Sequence, residues 1–228
     1  MISVVIPTLN AEARLAPCLD ALVGPALDGL VKEVIVVDGG SSDKTLQIAD
    51  GFGARIMTAP PGRGGQLKAG AGAARGGWLL FLHADTVLED EWGEEALAFM
   101  RGHDSGAAVF TLQFDAKGPA PRLVAAGAMA RTRMLKTPYG DQGLLISKPL
   151  YEKLGGYADI PLMEDVEFIR RLTKQEGAGA LHVLRARAVT SAARYERDGY
   201  LRRVVKNLTI LARYSLGAAP EDLARAYR

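Results

Sequence analysis

A chain of 228 residues has room for one domain, or for two small ones sharing a sheet. Its 48% hydrophobic and 24% charged residues are ordinary for a soluble globular protein, and a net charge of +2 gives no footing for nucleic acid. The single cysteine, Cys18, excludes an intrachain disulfide and a cysteine-built zinc site.

The run Met1 to Pro7 lacks the basic lead and long apolar core of a signal peptide. No apolar run reaches the roughly 18 residues that span a bilayer, so a cytoplasmic protein is expected. Residues 2–6, 33–37, 54–58 and 78–82 read as strands. All but the third are near-continuous apolar runs, as in strands covered on both faces. Between them, 11–23, 43–51 and 64–75 have helical character. This alternation predicts an α/β fold with a mostly parallel sheet and right-handed crossovers. Ligands in such sheets bind beyond the carboxyl ends of the strands.

The second half is less regular. Residues 107–114, 143–147 and 181–190 read as strands, and 119–135 and 164–175 as helices. Residues 198–216 form a basic amphipathic helix with the apolar stripe Leu201, Val204, Val205, Leu208 and Leu211. The stripe is narrow and lacks the Trp or Phe of interfacial helices, so it is expected to pack on the protein body and not on a membrane. The late basic surplus (Arg185 to Arg213) is either a solvated helix face or a surface for phosphates or anionic lipid.

The residues just after each strand carry the candidate chemistry. Pro7-Thr8-Leu9-Asn10 follows the first, where Asn10 can cap the next helix. Asp38 ends the second strand with no evident local task, and its carboxylate suits a ribose or a base edge. Asp43, by contrast, reads as a helix cap. Arg63 and Lys68, in and after a Gly-rich loop, can reach phosphates or a base. Asp85, after the strongest strand, meets the modest demand of Mg²⁺, which takes one or two carboxylates plus phosphates. His83 could ligate Mn²⁺, bond a ribose or simply pack. Asp165 shares a helical stripe with Phe168, Ile169 and Leu172 and so points inward, whereas Glu164 falls with Glu167 and Arg171 on a solvent face. An inward carboxylate costs desolvation unless it has work, which makes Asp165 the candidate base.

The segments 4–10 (VVIPTLN), 36–43 (VVDGGSSD), 80–85 (LFLHAD) and 163–165 (MED) together resemble family 2 glycosyltransferases, which have the GT-A fold. Tyr139-Gly140-Asp141-Gln142-Gly143 and Pro161 to Asp165 resemble a small bacterial subgroup associated with radical-SAM and arsenosugar biosynthesis genes. The resemblance implies inverting, Mg²⁺- or Mn²⁺-assisted transfer of a sugar from a nucleotide-diphosphate donor to a small-molecule or lipid-linked acceptor. It places Pro7, Thr8, Asn10, Glu12 and Asp38 at the nucleotide, Asp85 at the metal, and Arg194 at the diphosphate. Asp165 becomes the base, with Asp141, Gln142 and Glu164 on the acceptor side. Residues 1–105 would be the donor half, 106–190 the acceptor half, and 191–228 a helical C-terminal segment. Three positions depart from the pattern: His83-Ala84-Asp85 replaces Asp-x-Asp, Lys68 stands where asparagine is common, and Ser191 to Tyr195 replaces an Arg-Arg-Trp segment.

Two other readings compete. A nucleotidyltransferase would want a Gly-rich, Lys-containing phosphate loop after the first strand, and Pro7 to Asn10 offers none. A non-catalytic nucleotide-sugar binder would have no use for an inward Asp165.

Overall fold

Strands that can be buried on both faces organise the molecule, and a computed structural model describes residues 1–227. Strands β1 (Ile2–Thr8), β2 (Val31–Asp38), β3 (Arg55–Thr58) and β4 (Trp78–Phe81) are parallel, in the order β3-β2-β1-β4. Beyond β4 the sheet continues through β7 (Leu144–Ser147), β6 (Ala107–Phe114), β8 (Leu181–Thr190) and β5 (Thr86–Leu88). Here β7 runs antiparallel to β4 and β6, β8 runs parallel to β6, and β5 runs antiparallel to β8.

Alternate residues of the parallel strands feed two separate cores. Val4, Ile6, Val36 and Leu80 face α1 (Glu12–Asp20) and α5 (Trp92–Gly102), which contribute Leu15, Leu19, Trp92 and Phe99. Val5, Ile35, Leu79 and Phe81 face α4 (Arg63–Ala73), α7 (Lys148–Lys153) and α8 (Glu164–Glu176). Helix α4 lies so close that a Cβ on Gly70 would fall 2.4 Å from Val5 Cγ1. The predicted helix at 11–23 divides into α1 and α2 (Val23–Leu27), and α3 (Thr45–Gly51) follows β2. Helix α6 (Pro119–Leu135) covers β6. The chain then closes with α9 (Ala193–Asp198), α10 (Tyr200–Ser215) and α11 (Pro220–Tyr227).

Helix α10 corrects the expectation for its apolar stripe. Leu201, Val205 and Leu208 are exposed, and Arg203, Asn207, Ile210 and Tyr214 form the inward side. Arg203 makes this orientation possible. Its guanidinium donates to Asp198 Oδ2 (3.1 Å) and lies 4.6 Å over the Tyr227 ring, so its aliphatic stem is buried with the charge satisfied. The polar residue anchors the helix, Leu201 and Leu208 roll outward, and of the predicted stripe Leu211 packs inward beside Ile210 while Val204 is half-buried.

Candidate active site

At the C-terminal ends of β1 and β2 the chain makes two turns that lock into each other. Pro7 and Thr8 are the last, buried residues of β1. Thr8 Oγ1 donates to Asp38 Oδ1 (2.9 Å), and Asp38 Oδ2 accepts the N–H groups of Gly40 (2.9 Å) and Ser41 (2.8 Å). Asp38 therefore has a local task after all, shaping the 39–41 turn. Burial pushes its carboxyl pKa up, but the bonds from Ser41, Thr8 and Gly40 outweigh this and hold it below the usual range.

Asn10 does not cap α1. It adopts a left-handed φ of 51°, and its Oδ1 instead accepts the Ser42 N–H at 2.9 Å, across to the other turn. Glu12 Oε2 accepts Lys44 N–H (2.8 Å), while Glu12 N–H donates to Asp43 Oδ2 (3.1 Å). Asp43 also accepts the Thr45 N–H at 3.0 Å, in keeping with a structural role. Beneath both turns the buried Gln66 donates to Thr8 O (2.9 Å) and Val37 O (2.8 Å). Sequence reasoning missed Gln66, whose only signal was its place in the Gly-rich segment. Lys68, two residues on, is exposed on α4.

The second cluster forms where β4 ends and α8 begins. Residues Met163-Glu164-Asp165 enter α8 from a left-handed Met163 (φ 69°) that is itself buried. This is a strained conformation for a non-glycine residue. Asp165 Oδ2 accepts the Gly140 N–H and Oδ1 the Val166 N–H, each at 2.7 Å. A Cβ on Gly140 would lie 2.6 Å from His83 Nε2 and 3.4 Å from Asp165 Oδ2, so the three residues converge. Loss of water and the charges of Arg63 and Arg194 push the His83 pKa well below its ordinary range against the pull of Asp165, leaving a neutral imidazole at pH 7. Arg194 is exposed on α9.

Glu164 corrects the solvent-facing assignment. It is 1% exposed, and its Oε1 lies 2.9 Å from Arg63 Nε at the start of α4. Side chains in a first helical turn point back past the helix end, so the neighbouring α4 decides their burial and the stripe does not. Burial pushes Glu164 up to about 7, with Arg63 opposing and Asp165 adding to the shift. The carboxylate is therefore Arg63's partner and is sealed from an acceptor.

Gln142 requires the same correction. It is fully buried, with Nε2 donating to Phe110 O (3.1 Å) and Oε1 accepting from Thr132 (2.7 Å), which leaves its amide no acceptor-binding capacity. Asp141 stays at the site. Its buried Oδ1 has no partner, and burial drives its carboxyl up to about 6, with Arg131 opposing and Asp165 and Asp85 adding. Tyr139, also missed, lies under the Arg131 guanidinium at 3.5 Å with its buried hydroxyl unpartnered.

Among the described residues no group of three or more His, Cys, Asp or Glu could enclose a metal by itself. The oxygens present fit a different arrangement. Asp85, just beyond the end of β4, and the unpartnered Oδ1 of Asp141 suit a cation that takes one or two carboxylates from the protein and its other ligands from a diphosphate.

Comparison with known proteins places these features. The model of "Glycosyl transferase family 2" matches residues 3–144. A PGL/p-HBAD biosynthesis glycosyltransferase of Mycobacterium bovis is 36% identical over 118 residues, 48% of this chain and 45% of that protein. A glucosyl-3-phosphoglycerate synthase of Mycobacterium tuberculosis is 37% identical over 95 residues, 38% of this chain and 29% of that one. The chain thus spans less than half the length of these curated relatives. The crystal structure of the M. tuberculosis synthase with Mn²⁺, UDP and glucosyl-3-phosphoglycerate superposes with a TM-score of 0.64 at 22% identity, over 83% of this chain and 71% of that one. S. aureus TarS gives 0.65 at 20% identity, over 84% of this chain and 37% of that one. The mostly parallel sheet flanked by helices is that of the GT-A fold, and the chain belongs to glycosyl transferase family 2.

Proposed function

We propose that this protein is an inverting glycosyltransferase that moves a sugar from a UDP-sugar to an acceptor hydroxyl. The observation that carries this reading is the Asp165 carboxylate, held by Gly140 N–H beside His83 just beyond the end of β4. The interlocked turns holding Thr8, Asn10, Glu12 and Asp38 offer the nucleotide a rigid polar edge, with Arg63 and Arg194 available to the phosphates. Residues 1–105 then form the donor half and 106–190 the acceptor half, followed by the helical C-terminal segment 191–228, of which Arg228 lies outside the described residues.

In the reaction the acceptor oxygen attacks the anomeric carbon from the face opposite the diphosphate. The bond to the diphosphate oxygen breaks, and the acceptor proton passes to Asp165. Two backbone N–H groups, from Gly140 and Val166, orient Asp165 for that proton. Neutral His83 can donate or accept one hydrogen bond without adding charge. Asp85, with Asp141 nearby, would hold Mg²⁺ or Mn²⁺, which when bound supplies charge neutralisation for the leaving diphosphate. The use of UDP and of a divalent cation is supported by the complexes described for the M. tuberculosis synthase. The acceptor is a small molecule or a lipid-linked one. The radical-SAM and arsenosugar association remains part of this proposal, resting on the Tyr139–Gly143 and Pro161–Asp165 segments. A cytoplasmic site of action is proposed with it; among the described residues no helix is long and apolar enough to cross a membrane.

The test is a panel of nucleotide sugars with and without Mn²⁺, read by thermal stabilisation and by release of nucleoside diphosphate. Stabilisation by a UDP-sugar with slow UDP release supports the reading. Absence of both for every nucleotide would overturn it, and binding without release under any acceptor would favour the non-catalytic binder.

A further inference from the structure

The outward faces of α6 and α10 are unlike the rest of the surface. On α10, Leu201 is 79% exposed and Leu208 52%, with Val205 between them and Leu216 just past the helix end. Leu201, Val205 and Leu208 recur every three or four residues, and exposed Ala212 continues their stripe toward Leu216. Arg202, Lys206 and Arg213 run along one flank of it. Helix α6 repeats the pattern, with Leu123 at 75% and Met134 at 81% on one exposed row with Gly127 and Ala130. Arg122 and Arg133 flank that row. A groove of about 640 Å³ beside α6 adds Lys117 and Arg187 to these arginines.

The two helices are neighbours: Tyr195 packs with Phe114 and the inner side of α6, and its hydroxyl accepts from Asn207 of α10. Neither helix contains a single Asp or Glu. Exposed apolar rows of this size mark an interaction surface. Their charge selects the occupant. A second copy meeting the same faces would set arginine rows against each other with no carboxylate to pair them. An anionic lipid surface, in contrast, takes leucines into its acyl boundary and pairs its headgroups with the flanking arginines.

We propose that α6 and α10 seat the protein peripherally on an anionic bilayer surface. Helix α6 also bears Arg131, which stacks on Tyr139 beside Asp141, so the seated face adjoins the acceptor side of the crevice. Docking requires neither the transfer reaction nor a bound nucleotide.

The test is co-sedimentation of the full chain with phosphatidylcholine vesicles, with and without phosphatidylglycerol, at low and high salt. Binding is expected only to the phosphatidylglycerol vesicles and should weaken with salt. Arg202→Glu/Arg213→Glu should weaken it by at least about tenfold, from roughly 1 kcal/mol per basic residue near the surface. Leu201→Ser/Leu208→Ser should weaken it comparably. Both variants change exposed side chains, so unchanged circular dichroism and an unchanged UDP-induced thermal shift would show an intact fold. A wild-type chain that stays in the supernatant with both vesicle types overturns the proposal. So does a dimer in sedimentation velocity that the leucine variant dissolves, because the face would then be covered by a second copy.

Discussion

Each Asp165 oxygen accepts one backbone N–H, so an amide at this position removes the basicity and gives up one of the two orienting bonds. Asp165→Asn should keep UDP affinity within a few-fold and lower single-turnover transfer by roughly 10²–10⁴-fold; near-normal turnover in this variant would remove Asp165 as the base. Glu164 supplies a pH test. Its pKa in the folded protein is raised to about 7, so between the ordinary carboxylate pKa and 7 the native state binds a proton that the unfolded chain has released. Stability should therefore fall as pH rises through that window, by at most about 1.4 kcal/mol per pH unit from this group. Glu164→Gln should flatten the dependence of melting temperature on pH between about 5 and 8, whereas an unchanged slope would mean that Glu164 stays ionised throughout. Asp38, Asp85 and Asp165 stood out in the sequence as carboxylates at a strand end or an inward helix position, but Asp38 proved to be engaged locally by the 39–41 turn. The partners did not stand out. Nothing local announces that Gln66 bridges Thr8 and Val37, or that Arg63 reaches Glu164 a hundred residues on, since these contacts exist only after the sheet has formed.

At the scale of elements, the strands were the easiest to read. Burial on both faces writes β1, β2 and β4 as near-continuous apolar runs, and Ala107–Phe114 and Leu181–Thr190 match the predicted limits. Strand β5 is too short to show a period, and its pairing with β8 is settled by tertiary contact. Helix α5 did carry a signal that went unread, with Trp92, Ala96 and Phe99 at helical spacing. The two errors of phase share a cause. At the start of α8 and along α10, Glu164 and Arg203 are buried against partners in Arg63, Asp198 and the Tyr227 ring, and those partners overrode the apolar periodicity. Packing between elements is also where a small change should be costly. A Cβ on Gly64 would lie 2.2 Å from Ala158 O and 3.0 Å from Ile160 O, at the contact between α4 and the loop that leads into α8. Gly64→Ala should destabilise the fold by about 1–3 kcal/mol in urea denaturation, as overpacked sites do. An unperturbed midpoint would show that the 158–160 loop yields freely.

For the whole molecule, the sheet order brings together halves that are distant in sequence. Strand β1 lies between β2 and β4, and β7 joins β4 to the second half, so the turn at Asp38 and the Asp85 segment lie beyond the ends of the same parallel strands, where Gly140 and Asp165 meet His83. A nucleoside diphosphate and a cation bound there would contact segments from β1 to α9 and stabilise the fold as a unit. Excess UDP at a hundredfold over its dissociation constant stabilises the native state by about 2.7 kcal/mol. For a chain of this size that corresponds to a rise of roughly 5–10 °C in melting temperature. The metal supplies the discriminating arm. If Asp85 holds the cation against the diphosphate, Mn²⁺ should enlarge the UDP-induced shift in the wild type and leave it unchanged in Asp85→Ala, which should fold normally because the side chain is only half-buried. Asp141→Asn should retain a metal-dependent shift, since Asp141 adjoins the site without being assigned as a ligand. A metal-dependent shift that survives in Asp85→Ala and disappears in Asp141→Asn would move the cation from the end of β4 to the Tyr139–Gly143 segment.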